Sequence, residues 1–217
     1  MVKKLFWKDP YLTRLDTEIS MVNGERVSLK ETIFYAFSGG QESDSGSIDG
    51  NCVLDAVKNG LNIDYTLPAG HGLQPGDQVT VAIDWPRRYR LMRLHFAAEL
   101  ILELVYQKLD GIEKIGAHIA EDKARLDFIW QEKISSYFPE LLQQSQDLVR
   151  EDRDIISAFS DEQQQRRYWE VPGFARVGCG GTHLKRTGEV GTLTLKRKNI
   201  GKGKERIEIY LAEPERS

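Results

Sequence analysis

The chain is short of the features that would set it outside the ordinary globular class. Only two cysteines, Cys52 and Cys179, occur in 217 residues, far apart, which excludes the dense disulfide framework of a small secreted domain, and no disulfide is expected. No stretch approaches the roughly 18 uninterrupted apolar residues of a membrane-spanning helix, and the opening Met1 to Pro10 has neither a secretory apolar core nor a cleavage site. A soluble, cytoplasmic protein is the expectation. Seven prolines, 40% hydrophobic and 29% charged residues argue against disorder, collagen-like structure and coiled coil. The chain also lacks a basic excess, with a formal net charge of -3, so any nucleic-acid contact must rest on a local patch.

Such a patch is present. Between Lys185 and Arg206 stand eight bases (Lys185, Arg186, Lys196, Arg197, Lys198, Lys202, Lys204 and Arg206) and two acids, Glu189 and Glu205. They read either as an RNA contact or as a solvated face.

The first 86 residues carry short β-like runs, Thr32 to Phe37 and Val79 to Ile83, and turn signals at Asn23-Gly24, Asp49-Gly50 and Pro75-Gly76. They predict a small, β-barrel-like domain. From Leu91 to Leu109 good helix formers run for about five turns without Gly or Pro, apolar on most sides, which predicts a largely buried helix. Strand-like pieces at 117–119 and 125–129, a polar amphipathic helix near 136–153, and alternating strands at 191–195 and 206–211 follow. The Gln-rich segment 161–167 reads as an exposed loop or helix face. The fold class is α+β, with a second domain over 87–217 whose helices pack on an antiparallel sheet.

Three constellations can carry chemistry. His95 and Glu99 lie one turn apart on one face of the predicted helix, a spacing used for metal ligation but equally suited to a simple hydrogen bond. Cys179 and His183 bracket Gly180 and Gly181; thiolate and imidazole are preferred zinc ligands, and the glycines would let the backbone curl so that both meet one ion. A buried thiol beside a glycine turn, or a Cys–His nucleophilic pair, remains open. In the Ser38 to Gly46 loop, Gly39 and Gly40 permit close approach of a ligand and Gln41 offers an amide, though a polar hairpin would look the same. His71 and His118 read as structural, and Cys52 as a core position.

Taken in order, these motifs resemble the AlaX family of free-standing alanyl-tRNA editing proteins, related to the editing domain of alanyl-tRNA synthetase. The resemblance rests on Phe34-Tyr35 followed by the Ser38 to Gly46 loop, on the helix motif at His95 to Glu99, on Cys179 to His183 in a Cys-x-Gly-Thr-His pattern, and on Asn199 to Glu208. It covers nearly the whole chain and points to the medium-length type. One departure stands out: the second histidine of the family's His-x-x-x-His helix is Glu99, and a carboxylate also ligates zinc, at about 2.0 to 2.2 Å.

The resemblance implies a metal-dependent deacylase for mischarged Ser-tRNA(Ala), with Gly-tRNA(Ala) as a further substrate. The metal is Zn2+, held by His95, Glu99, Cys179 and His183. Gln41 and Glu99 are the catalytic candidates, Glu99 either as fourth ligand or as base for the attacking water. Gly39, Gly40, Gly180 and Thr182 would line the substrate. Thr32 reads either as a hydroxyl that selects serine or as an ordinary strand threonine. Lys185, Arg186, Lys196, Arg197, Lys198, Lys202 and Lys204 would meet tRNA phosphates. The other readings are a binding module of the same fold without catalysis, and a deacylase for a different aminoacyl ester.

Overall fold

The computed structural model describes residues 1–212, and its chain divides into two compact units, Met1–Arg90 and Leu91–Ser217. The first contains β1 (Lys3–Lys4), β2 (Arg14–Asn23), β3 (Arg26–Leu29), β4 (Glu31–Thr32), β5 (Gly46–Ile48), β6 (Asn51–Cys52), β7 (Asp55–Asn59), β8 (Asn62–Thr66) and β9 (Gln78–Ile83). Seven of these form an antiparallel sheet in the order β6-β5-β9-β2-β3-β8-β7. Strand β2 serves both halves: Arg14 to Glu18 pair with β9, and Ile19 to Asn23 with β3, with a register shift between Ile19 and Met21. A bulge at that point bends the strand and curls the sheet into a half-barrel. Its hollow is filled by Ile19, Val27, Ile33, Phe34, Ile48, Tyr65 and Leu67, all nearly without solvent contact; each such side chain contributes about 1.5–3 kcal/mol of burial free energy.

The turn signals fall where the chain reverses: Gly24 (φ 61), Gly50 (φ 78) and Gly76 (φ 96) take the left-handed backbone that only glycine adopts without strain. Two expectations are corrected. The run from Thr32 to Phe37 is a strand only at its first residue, with Glu31. Ile33 to Ala36 are buried while Phe37 is exposed, and the buried backbone groups bond to side chains: Phe34 N–H to Thr32 Oγ1, Tyr35 N–H to Asp44, Ile33 C=O to Arg88 and Phe34 C=O to Tyr65. With these partners supplied, no ladder is needed. Cys52 is exposed rather than in the core. It sits on a two-residue strand, paired with Ser47, and the neighbouring Val53 supplies the buried group.

Helix α1 (Trp85–Lys108) begins where Asp84 accepts the Arg87 N–H at 3.2 Å, an N-cap contact. From Leu91 onward it is buried on nearly all sides, through Leu94, Phe96, Ala97, Leu100, Ile101 and Val105. The second unit adds β10 (Glu113–Ile119), β11 (Ala124–Ile129), α2 (Phe138–Glu151), β12 (Ile156–Asp161), β13 (Arg166–Val171), β14 (Ala175–Gly178), β15 (Leu193–Gly201) and β16 (Lys204–Leu211). They form two antiparallel sheets, β10-β11-β16-β15 and β12-β13-β14, so the α+β class holds. Along β16, Ile207, Ile209 and Leu211 point into the core, and Arg206, Glu208 and Tyr210 take the other face, as the period of two requires. Helix α2 buries Leu141, Ser145, Leu148 and Val149, a helical stripe. The Gln-rich segment is the turn between β12 and β13, where Gln164 N–H caps onto Asp161. No helix among the described residues is long and apolar enough to cross a membrane.

Candidate metal centre

The second unit brings three of the four expected ligands together. His95 and Glu99 project from α1; Cys179 and His183 follow β14. The turn that carries Cys179 is fixed by pairing, because the Cys179 N–H continues the β13–β14 ladder onto the Arg167 carbonyl at 2.9 Å. Neither Gly180 nor Gly181 takes a positive φ, so the chain returns to His183 without the left-handed backbone that the glycines suggest. Donor atoms of His95, Cys179 and His183 all lie within 4.8 Å of one another.

Each imidazole is oriented from behind. The Nδ1 of His95 donates to the Thr182 carbonyl at 3.1 Å, which leaves Nε2 facing Cys179 Sγ at 3.5 Å. His183 Nδ1 meets Ser157 Oγ at 3.2 Å, and its Nε2 is buried with no hydrogen-bond partner. The two rings stack with centroids 5.0 Å apart. Phe96 packs edge-on against both His183 and Trp169.

These residues suit a metal ion that takes sulfur and nitrogen ligands. The Nε2 of His183, buried and without a hydrogen-bond partner in a residue whose donor atom lies within 4.8 Å of those of Cys179 and His95, is an incomplete arrangement on its own. Sulfur and nitrogen ligands at about 2.3 and 2.1 Å from one tetrahedral ion stand roughly 3.6 Å apart, close to the 3.5 Å between Cys179 Sγ and His95 Nε2. Hydrogen bonds at the far ring nitrogens are the usual support of histidine ligands.

Glu99 stands beside this trio. Its Oε1 is 3.3 Å from His95 Nε2, and its Oε2 accepts the Trp169 Nε1–H at 3.2 Å. Burial pushes the Glu99 carboxyl up, but the hydrogen bond and charge of His95 outweigh it and hold the group down to about 2. Burial likewise pulls His95 down, against a larger opposing effect of Cys179 and Glu99 that leaves it well above the usual range. His183 is held at about 3, by burial first and then by the positive charge of His95, so it is a neutral ring with a lone pair to give. Arg167, buried on β13 within electrostatic range of Cys179, adds positive charge beside the sulfur. Trp169, Ser157 and Arg167 escape the sequence reading because they belong to β12 and β13, where no strand is expected from the sequence and where β12 shows no buried–exposed alternation.

The remaining site candidates are distributed as follows. Gly39 (φ 62) and Gly40 (φ 86) make a tight turn closed by reciprocal Ser38 and Gln41 backbone bonds, and Gln41 is buried. Thr32 is fully buried, its hydroxyl shared between Tyr65 Oη at 2.7 Å and the Phe34 N–H. Gly180 is exposed and Thr182 buried. Of the bases, Arg186 is held by Asp152 and Asp154 and Arg197 by Glu205 at 2.5 Å. Lys196 lies over the Tyr210 ring at 4.9 Å. Lys185 gives its backbone N–H to Glu189, and Lys198, Lys202 and Lys204 enter no ion pair among the described residues. His71 is structural, bridging Gly24 and Leu73 in a loop.

The family described as the threonyl and alanyl tRNA synthetase second additional domain matches residues 173–208, the segment that holds Cys179, His183, β15 and the first part of β16. The chain is 31% identical to the alanyl-tRNA editing protein AlaX-M of Pyrococcus horikoshii, over 97% of this chain and 98% of that protein. It is 30% identical to the AlaX-M protein of Saccharolobus solfataricus, over 99% and 100%. An alanine–tRNA ligase of Ignicoccus hospitalis is 32% identical across 95% of this chain but only 26% of its own length.

Proposed function

This chain belongs to the AlaX-M family of alanyl-tRNA editing proteins, and from that premise we propose that it deacylates tRNA(Ala) mischarged with serine, and with glycine, by hydrolysing the ester at the terminal adenosine. The observation that carries the reading is the convergence of the buried His95 and His183 with the half-buried Cys179 in a chain aligned end to end with editing proteins. The need for such a reaction is chemical. A pocket made for alanine discriminates poorly against a molecule smaller by one methyl or larger by one hydroxyl, by only about one or two powers of ten, so errors are removed in a second site.

In this reading the ion is zinc, held by His95, Cys179 and His183, and when bound it supplies Lewis acidity for the ester carbonyl or for water. The protein does the rest. Thr182 and Ser157 fix the imidazoles so that each presents a nitrogen to the ion. Trp169 pins one oxygen of Glu99 and leaves the other beside His95. Water attacks the carbonyl carbon, the bond to the ribose oxygen breaks, and the amino acid leaves as the free acid while the tRNA recovers its hydroxyl. Glu99 takes one of two parts: fourth ligand, by its place in the helix motif, or acceptor of the water proton. The second is favoured by the grouping of the other three ligands without it, since three protein ligands and an open position are the catalytic pattern of zinc. The Gly39-Gly40-Gln41 turn is a substrate contact on motif resemblance.

The test is single-turnover deacylation of Ser-tRNA(Ala), Gly-tRNA(Ala) and Ala-tRNA(Ala), with bound metal quantified on the same sample. The expected result is clearance of the serine ester, survival of the alanine ester, one zinc per chain, and loss of both metal and activity in Cys179→Ala. A Glu99→Gln variant that keeps zinc and loses turnover assigns Glu99 to the proton; loss of zinc assigns it to the ligand set. A zinc-loaded protein that clears none of the three esters refutes the deacylase and leaves a binding module of the same fold.

A further inference from the structure

The sheet β10-β11-β16-β15 has one face in the core of the second unit, and its other face carries an ordered array of charge. Directly paired residues of antiparallel strands share a face. Lys196 opposes Glu208 and Lys198 opposes Arg206, while Arg125 and Asp127 oppose Glu208 and Arg206 from the other side. Lys204, two residues before Arg206, continues the row, and Lys123 reaches it to meet Glu208 at 2.8 Å. Six bases therefore share this face with three acids, Glu113, Asp127 and Glu208.

The ion pairs divide the bases into two classes. Arg125 and Arg206 both bind Asp127, and Lys123 binds Glu208; these neutralise two of the acids and stiffen the middle of the face. Lys196, Lys198 and Lys204 are exposed and enter no ion pair among the described residues. Lys196 is propped over the Tyr210 ring, whose hydroxyl is tied to Glu208 at 3.1 Å. The result is an exposed face on which Lys196 and Lys198 stand at alternate residues of β15, roughly 6.7 Å apart, with Lys204 beyond Arg206 on β16 and Tyr210 at the opposite end of that strand.

We propose that this open face is an RNA-binding surface on which Lys196, Lys198 and Lys204 contact successive backbone phosphates. The partner is a polyanion of repeating charge, because the three cations are spread over two neighbouring strands rather than converging on a point, and two of the three acids that would repel it, Asp127 and Glu208, are already paired to arginine and lysine. The proposal rests on the reading of the chain as one that acts on tRNA, and it narrows the eight-base stretch to three contacts. Arg186 and Arg197 are excluded because their guanidinium groups are already committed to carboxylates.

The experiment measures binding of uncharged tRNA(Ala) to the full chain between about 50 and 200 mM salt. Each phosphate contact adds roughly 0.7 to 0.9 to the slope of log affinity against log salt. A K196A/K198A/K204A variant is expected to lose about 2 to 3 from that slope and to bind at least about tenfold more weakly. The matching triple arginine variant is expected to keep the wild-type slope. Should the alanine triple fail to fold, the single variant Lys198→Ala, expected to lower the slope by about 1, carries the test. Wild-type affinity and slope in the alanine variant overturn the proposal, as does binding to phosphatidylserine vesicles with none to RNA. Because no ester is involved, a protein that binds tRNA through these lysines and hydrolyses nothing overturns the deacylase and leaves this surface standing.

Discussion

Replacing Asp44 by alanine removes the anion from the only ion pair among the described residues in which both side chains are fully buried. Asp44 accepts the Arg88 Nε–H at 2.7 Å, a second bond from Arg88 Nη2, and the Tyr35 N–H at 2.6 Å. Arg88 keeps two carbonyl partners, Ile33 at 2.6 Å and Pro10 at 2.9 Å, but no countercharge. Breaking such a pair from one side costs about 3–5 kcal/mol, because a charge is left buried without its partner. That is comparable with the roughly 5–15 kcal/mol that holds a whole domain. With a urea dependence of about 2 kcal/mol per molar, the midpoint of the first unit should fall by about 2 M. Urea unfolding followed by circular dichroism reads it directly. The same account requires the double variant Asp44→Leu with Arg88→Met to be more stable than Asp44→Ala alone, because no isolated charge then remains. A midpoint shift below about 0.3 M, or a double variant no better than the single, would refute the reasoning. The Ser38–Gln41 turn should loosen as well, since Asp44 N–H bonds the Tyr35 carbonyl and Tyr35 Oη donates to the Ser38 carbonyl.

Two further outcomes follow from the geometry. Trp169→Phe keeps a ring against Phe96 but removes the donor to Glu99, so zinc affinity or turnover should drop about 10- to 100-fold; competition with a chromophoric chelator alongside the deacylation rate checks it, and wild-type values in both would count against the support role. Lys4 is buried, and burial first and Lys58 second bring its ammonium down to about 8. Its folded value lies below the unfolded one, so the charged form destabilises the fold below pH 8 and that cost is relieved as pH rises from about 8 to about 10.4. Lys4→Met should therefore be more stable than wild type at neutral pH, with the difference shrinking over that window; an equal difference at pH 7 and 10 would contradict it.

What could be read from the sequence was what depends on local pattern. The helix containing His95 and Glu99 announces itself through an unbroken run of helix formers, and β16 through strict alternation. Glycine turns at Gly24, Gly50 and Gly76 were legible because the required positive φ favours glycine. The group that could hold a metal was legible as residue types, His95, Cys179 and His183, yet not as a set with supports, because Thr182 acts through its carbonyl and Ser157 and Trp169 lie on strands remote in sequence. The Thr32 to Phe37 run failed as a strand for a related reason. Its apolar composition specifies burial, and whether buried backbone pairs with a neighbouring strand or with Arg88, Asp44 and Tyr65 is decided by residues up to 55 positions away. Cys52 misled because an apolar neighbourhood in sequence alternates sides in a strand.

The Asp44–Arg88 pair also constrains the order in which the protein can come into being. Forty-four residues separate the two partners, and at a synthesis rate of about 5–20 residues per second a ribosome needs roughly 2 to 9 seconds to add them. Throughout that interval the nascent half-barrel holds an aspartate with no guanidinium to receive it. Strands β1 to β9 are all made before Arg88, which lies in the first turn of α1, so the first unit cannot close its charged centre until translation has entered the helix. The start of the helix that goes on to carry His95 and Glu99 is therefore also the last part of the first unit to be delivered.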